Sequence, residues 1–408
     1  MSRKKINSLV LIILFFLLVL CSFIFFVGTQ EQDHNSRLKS IKTVKELFHE
    51  DVENLMEGKY PNLISNKFDA SIEAVESVYE IEIIAEDILK NSFSENLQQM
   101  EASIEKFFGK DIDKSFLEVE AYMIDAESEI MNYTEVEQFM KGEKFHNVSG
   151  TAWLSGSDSE NGYYVQVFSG LLQVWYSKNG VNTIYPSVEG EIKAVYPYIS
   201  GVRQEEVMIQ LKDGEIALSE MEQMVLDYMN SEDFPLIKGD GINYGIGEAR
   251  VLKAGEFEGL CFLTRRVYKG VPFEYGSSTS VGAYTDNYRH DNGEITYVDS
   301  SSPDTMLGFF RASGTVVEKQ EITEMITAGE ALSLLSEQIG DNSVYEVHGI
   351  ELVYRNCEIP ENKMLEISDI LEPKWKIITI NQNDDKYTMF YVDVVTGEIT
   401  NRFEYYYD

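Results

Sequence analysis

Apolar and polar positions change rhythm several times along this chain. From Leu9 to Val27 only Cys21 and Ser22 interrupt a run of Leu, Ile, Val and Phe. As a helix rising about 1.5 Å per residue, the run spans roughly 28 Å, close to the ~30 Å hydrocarbon core of a bilayer. Arg3, Lys4 and Lys5 stand before it, and Gln30, Glu31, Gln32 and Asp33 follow. The positive-inside rule therefore predicts a single-pass anchor at 9–27, a cytoplasmic tail at 1–8 and an extracytoplasmic remainder in the cell membrane. A cleaved signal peptide needs small residues before the cut, and Phe25, Phe26 and Val27 precede Gly28; cutting after Ser22 stays open. Lipidation at Cys21 lacks a preceding small residue, since Leu18, Val19 and Leu20 stand there.

Beyond the polar joint at Gly28–Asp33 the period becomes helical. Leu38, Ile41, Lys45, Phe48, Val52 and Leu55 fall at three- and four-residue steps; Ile72, Val75, Tyr79, Ile84 and Ile88 form a second set. Phe93, Leu97, Met100, Ile104 and Phe107 form a third, stopped by Gly109. A membrane-proximal helical module at 34–110 is the expectation, either an internal bundle or a contact for another membrane protein. From Phe116 the period is two: Leu117, Val119, Ala121 and Met123 alternate with Glu118, Glu120 and Tyr122. Thr134 with Glu137 reads as a capping box opening a short helix to Met140. Strand signals follow at Tyr163–Phe168, Leu171–Tyr176 and Val181–Tyr185. The Asn179-Gly180 and Asp213-Gly214 pairs mark hairpins. Residues 115–217 are thus expected to form a β-rich domain.

The last part reads as one unit used twice, at 218–305 and 327–403. Ser219–Met229 is a predicted helix followed by strands at Gly259–Tyr268, Val271–Tyr275, Ser280–Tyr284 and Glu294–Val298. Thr327–Ile339 is a second, followed by Tyr345–Tyr354, Lys374–Ile380, Tyr387–Val394 and Glu398–Phe403. The predicted class is α+β.

Composition adds two constraints. With 44% apolar and 12% aromatic residues the 408-residue chain has material for sizeable cores. Its 69 acidic against 34 basic residues give a formal charge of −35, which disfavours nucleic acid as a partner. Cys261 and Cys357, the cysteines outside the apolar run, are open to either a disulfide or two buried thiols.

Catalytic patterns are missing from the sequence. The five histidines, at 34, 49, 146, 290 and 348, lack H-E-x-x-H or other ligand spacing. Gly276–Ser280 lacks the nucleophile-elbow pattern, and Gly239-Asp240-Gly241 with Gly245-Ile246-Gly247 lacks the lysine of a phosphate loop. Asp158–Gly162 and Asp286–Gly293 lack the alternating ligands of a calcium loop. Trp153, Trp175 and Trp375 read as core, and Tyr405–Tyr407 as a sheet edge or contact. No catalytic, cofactor-binding or metal residue is assigned, and no cofactor is expected.

The second unit resembles a PepSY-type or YycI-type module. It has the helix start Thr327-Ala-Gly-Glu-Ala, Pro373-Lys-Trp375 entering a strand, and a closing stretch from Tyr391 through Asp393, Thr396 and Gly397 to Ile399. Tyr268-Lys-Gly270-Val271-Pro272 in the first unit resembles a strand turn of the same modules. With the apolar N-terminal run, the chain is similar to the YycH and YycI regulatory proteins of Gram-positive bacteria. The resemblance implies a membrane-anchored, non-enzymatic binding or regulatory protein beside a sensor kinase of a two-component system. Because PepSY-type units also occur as inhibitory propeptides, the resemblance implies, as the alternative, a peptide or protease as partner.

Overall fold

Strands make up most of the described residues. The computed structural model describes residues 41–43, 60–65, 77–84, 93–123, 129–132, 150–168, 173–178, 192–197, 206–236, 241–254, 256–274, 293–309, 315–339, 343–356, 368–382 and 386–405. Among them are twenty-two strands and three helices.

The first helix, α1 (Phe93–Phe108), puts Leu97, Met100, Ile104 and Phe107 on one buried stripe. Each such side chain removed from water contributes about 1.5–3 kcal/mol. Gly109, at φ +105°, ends the helix and donates its N–H to the Glu105 carbonyl at 3.0 Å, a conformation that glycine adopts without a Cβ clash. Four antiparallel strands follow: β4 (Leu117–Met123), β6 (Gly150–Asp158), β7 (Tyr163–Phe168) and β8 (Gln173–Ser177), with β5 (Glu129–Asn132) on the outer edge of β4.

The same order then recurs. α2 (Leu218–Asn230) buries Leu218, Met221, Val225 and Met229. Ala217 at its N-cap offers no side-chain oxygen, and the Glu206 carboxylate takes that part by accepting from the Ser219 N–H and hydroxyl. Its meander is β12 (Ile242–Ala254), β13 (Phe257–Tyr268), β15 (Gly293–Tyr297) and β16 (Thr305–Phe309), with β9 (Ile192–Pro197) outside β12. α3 (Ala328–Ile339) starts on a capping threonine, the Thr327 hydroxyl accepting from the Glu330 N–H at 3.0 Å. Its meander is β19 (Tyr345–Asn356), β20 (Ser368–Asn381), β21 (Lys386–Asp393) and β22 (Ile399–Tyr405). The opening strands of the second and third repeats share a bulge, at Ile246/Glu248 and at Val347/Gly349.

Repeats one and two form a single antiparallel sheet, in the order β5-β4-β6-β7-β8-β16-β15-β13-β12-β9, joined through β8 and β16. α1 and α2 share one apolar core on one face of it. The third repeat makes a second sheet with its own core beneath α3. The strand that connects the sheets is β14 (Val271–Glu274): it pairs antiparallel with β13 and parallel with the end of β19. Lys269 and Gly270, both at positive φ, form the two-residue turn that sends β13 into β14.

Two of the described N-terminal strands are built into this second sheet, and a third forms a separate two-stranded pair beside α3. β1 (Ile41–Thr43) pairs with β18 (Glu324–Ile326), and β2 (Leu63–Ser65) lies parallel to β19. β3 (Val78–Ile84) lies between β17 (Thr315–Ile322) and the start of β20. Tyr60 donates to the Gly329 carbonyl at 2.9 Å and Asn62 to the Ser336 carbonyl at 2.7 Å, fixing this segment to α3. The remaining pair, β10 (Met208–Leu211) and β11 (Gly214–Ala217), is the Asp213-Gly214 hairpin.

Two expectations are corrected here. The α+β layout with a helical module at 34–110 is overturned, because the described residues are mostly strand. Among the described residues of that range only Phe93–Phe108 is helical. Ile81 and Ile83 are buried while Glu80 and Glu82 are half-buried, the alternation of a strand and not a helical stripe. The single-pass membrane arrangement is the second. Among the described residues no helix is long and apolar enough to cross a membrane. The longest, α1, has 16 residues and reaches about 24 Å with charged positions along it. The cell-membrane, cytoplasmic-tail and extracytoplasmic assignments are therefore withdrawn. The 9–27 run itself, Cys21, Thr134–Met140 and Asn179–Tyr185 lie outside the described residues.

Candidate functional site

The two helices on the shared sheet leave a cleft of about 450 Å³ between them. One wall is α1, through Gln99, Ala102, Ser103 and Lys106; the other is the end of α2 and the segment after it, through Asn230 to Glu232 and Phe234 to Leu236. Helical spacing puts 99, 102, 103 and 106 on one face of α1, beside the buried stripe. The opposite wall is held by its own hydrogen bonds. Asn230 donates to the carbonyls of Leu226 and Tyr244 and accepts from the Tyr244 N–H. Ser231 caps α2, its N–H and hydroxyl both reaching the Tyr228 carbonyl. Lys106 closes one end by donating to the Glu232 carbonyl at 2.7 Å and the Phe234 carbonyl at 3.3 Å. Phe234 packs edge-on against Tyr228 and Tyr244. The floor is apolar and the rim polar, at a volume ordinary for ligand sites.

Ser103 deserves a chemical test because its hydroxyl reaches this cleft. It accepts a hydrogen bond at 2.8 Å from Tyr176, whose phenol is pushed far above the usual range by burial, partly offset by that same bond. A phenol that keeps its proton cannot act as base for the serine at neutral pH. The pair anchors α1 to β8.

A second constellation lies where the two sheets meet. Arg265 on β13 forms a two-pronged pair with Glu351 on β19, both contacts at 2.9 Å. Lys376 on β20 stands 3.3 Å from Glu351 and 2.6 Å from Glu274 on β14; Glu274 also accepts from the Tyr391 hydroxyl. Arg355 lies 3.5 Å from the centre of the Tyr391 ring. Nearby, Lys374 pairs with Glu372 and Asp393. Four cations meet four carboxylates, so the cluster balances its charge. Burial alone would raise the Glu351 carboxyl, but Arg265 and Lys376 outweigh it and hold it below the usual carboxylate range. This network joins sheets and is not an open site.

The remaining sequence candidates separate. Asp158 spends its oxygens on the Glu160 and Asn161 N–H groups and the Asn161 amide, which fixes a hairpin turn. Gly247 sits in the β12 bulge, and Gly241 is a turn residue at φ +73°. Gly276–Ser280, Asp286–Asn292 and His34, His49, His146 and His290 lie outside the described residues. His348 is 3.1 Å from Glu346 and is lowered by burial, against the pull of that carboxylate. Among the described residues no group of three His, Cys, Asp or Glu is placed to hold a metal. Trp375 is fully buried, whereas Trp153 and Trp175 are half-buried.

Cys261 is a free, buried thiol, pushed up to about 12 chiefly by burial, with Glu294 adding to the shift. Cys357 lies outside the described residues. A low thiolate fraction and lack of access both block alkylation. Iodoacetamide is expected to leave Cys261 unmodified in the folded protein and to modify it in denaturant, as read by peptide mass; rapid labelling of the folded protein contradicts this.

Comparison with known proteins yields a fold and no activity. No family model matches the sequence, and no curated protein matches it. The PepSY-, YycI- and YycH-type labels and the regulator label therefore have no family match behind them and are carried no further. The structure is similar to the crystal structure of an uncharacterized protein from Eubacterium rectale ATCC 33656. The match has a TM-score of 0.50 and 11% identity, and covers 90% of this chain and 98% of that one. At that identity the likeness concerns the fold alone.

Proposed function

We propose that this is a binding protein without bond-making chemistry of its own, and that it captures a peptide segment in the cleft between α1 and the 230–236 segment. The cleft carries this reading. Its walls come from two repeats on one continuous sheet, and it offers an apolar floor at Phe234 and Leu236 with a rim of amide, hydroxyl and ammonium groups. Apolar contact supplies affinity and the few rim groups fix orientation. The rigidity of both walls, each hydrogen-bonded to its own repeat, lowers the ordering cost of binding. The strongly acidic surface favours peptides with basic residues and speeds their encounter at low salt.

The test is capture from a random peptide library by the full chain, by Ala102→Trp and by Met224→Trp. Ala102 is exposed in the cleft, and an indole there fills much of it; Met224 is exposed on α2 and does not line the cleft. Peptides retained by the wild type and by Met224→Trp are expected to fall roughly tenfold or more in affinity with Ala102→Trp. Equal retention by all three proteins, or none by the wild type, contradicts the proposal.

A further inference from the structure

The two walls of the cleft differ in what their polar groups are doing. On the 230–236 side they are committed within the protein. Asn230 is taken up by Leu226 and Tyr244, Ser231 by the Tyr228 carbonyl, and the Glu232 and Phe234 carbonyls by Lys106. The α1 side is different. Gln99, Ser103 and Lys106 follow one another at steps of four and three residues, so they share one face of the helix, about 6 and 4.5 Å apart along its axis.

Two of these groups hold a proton ready for an acceptor. The Lys106 ammonium is fixed by two carbonyls of the opposite wall, at 2.7 and 3.3 Å, and it has three N–H bonds to offer. One is left over. Ser103 is only 1% exposed, and Tyr176, wholly buried, has no acceptor among the described residues other than the Ser103 oxygen. The phenol therefore donates, and the serine keeps its own proton, which among the described residues meets no acceptor. A buried donor without an acceptor is costly, and a ligand oxygen that meets it removes the penalty.

Given peptide capture in this cleft, on which the reading rests, we propose that the cleft takes its peptide by the C-terminal carboxylate, which accepts from the Lys106 ammonium and the Ser103 hydroxyl. A charge-assisted bond of this kind is about twice as strong as a neutral one, so the terminal carboxylate and not an internal carbonyl takes the ammonium. The step of about 6 Å from Ser103 back to Gln99 is close to the ~6.8 Å between alternate residues of an extended chain. The peptide thus runs along α1 with its C-terminus at Lys106 and its backbone against the Gln99 carboxamide. Basic residues nearer the N-terminus of the peptide lie over the acidic surface. Glu232, exposed at the Lys106 end, opposes the carboxylate.

The test uses a peptide retained from a library with free C-termini, made as the acid and as the C-terminal amide. Affinities for the full chain, Lys106→Met and Glu232→Gln are read by fluorescence anisotropy. Amidation is expected to weaken binding to the unsubstituted chain roughly tenfold or more. This arm involves no variant, so misfolding cannot account for it. Lys106→Met loses a similar factor for the acid, and the two changes together lose little more than either, because both remove one contact. Glu232→Gln tightens the acid more than the amide. A peptide that loses nothing on amidation while still falling with Ala102→Trp overturns the carboxylate assignment and leaves the cleft a peptide site; no retained peptide at all removes both. Tighter binding of lysine-bearing peptides by Lys106→Met also overturns it, since the Glu232 and Phe234 carbonyls would then take a ligand ammonium in place of Lys106.

Discussion

Replacing Glu351 with alanine is expected to destabilise the protein by about 3–5 kcal/mol, measured by denaturant unfolding. The change strips Arg265 of both prongs of its carboxylate and Lys376 of one of two partners. Arg265 and Glu351 side chains are each only 9% exposed, so water repays little of the loss. The double variant Arg265→Met with Glu351→Leu removes the charges together and is expected to lie much closer to wild type, because the desolvation cost of both ions disappears with their attraction. The pH dependence has a definite sign. The Glu351 carboxyl is lower in the folded protein than in the unfolded chain, so its contribution is fully present above the ordinary carboxylate range. It is lost as pH falls through the folded value, and Glu351→Ala lacks that part of the acid transition. A loss below about 1 kcal/mol, the range of a solvated pair, contradicts the account of the join.

Trp375→Ala is expected to cost a similar amount, about 3–5 kcal/mol. The side chain is fully buried on β20 in the core under α3, and its indole N–H donates to the Ile326 carbonyl at 3.0 Å. Alanine opens a cavity and leaves that carbonyl without the indole donor. Trp375→Phe keeps most of the apolar contact and isolates the hydrogen bond, with an expected cost of about 1–3 kcal/mol. Because Ile326 ends β18, which pairs with β1, both variants should speed hydrogen exchange at 324–326 and 41–43. Unchanged exchange there contradicts the role given to this tryptophan.

Elements governed by short-range pattern were legible in the sequence. Leu97, Met100, Ile104 and Phe107 announce α1 by spacing, Thr327 with Glu330 announces the start of α3, and Asp213-Gly214 announces its hairpin. Val78–Ile84 was misread because Tyr79 and Ile84, taken with Ile72 and Val75, fit a helical step. The alternation of Ile81 and Ile83 against Glu80 and Glu82 wins once β17 and β20 flank the segment. Those partners lie in the C-terminal half of the chain, out of reach of any local window.

The cleft was illegible for the same reason. Gln99, Ser103 and Lys106 read as the polar side of a helix, and Asn230–Leu236 as a loop, until β8 meets β16 and brings the walls together. The network at the join left a trace. Arg265 and Arg266 interrupt the apolar run of β13, and Lys374 and Lys376 flank Trp375 on β20; charges inside buried strands call for partners. Pairing them required the parallel contact of β14 with β19.

The most direct test of peptide capture is hydrogen exchange of the full chain with and without a peptide retained from the library. The account predicts slowed exchange at 99–106 and 230–236, with the third repeat unchanged. Protection confined to any other part of the chain would contradict the assignment of the cleft as the binding site.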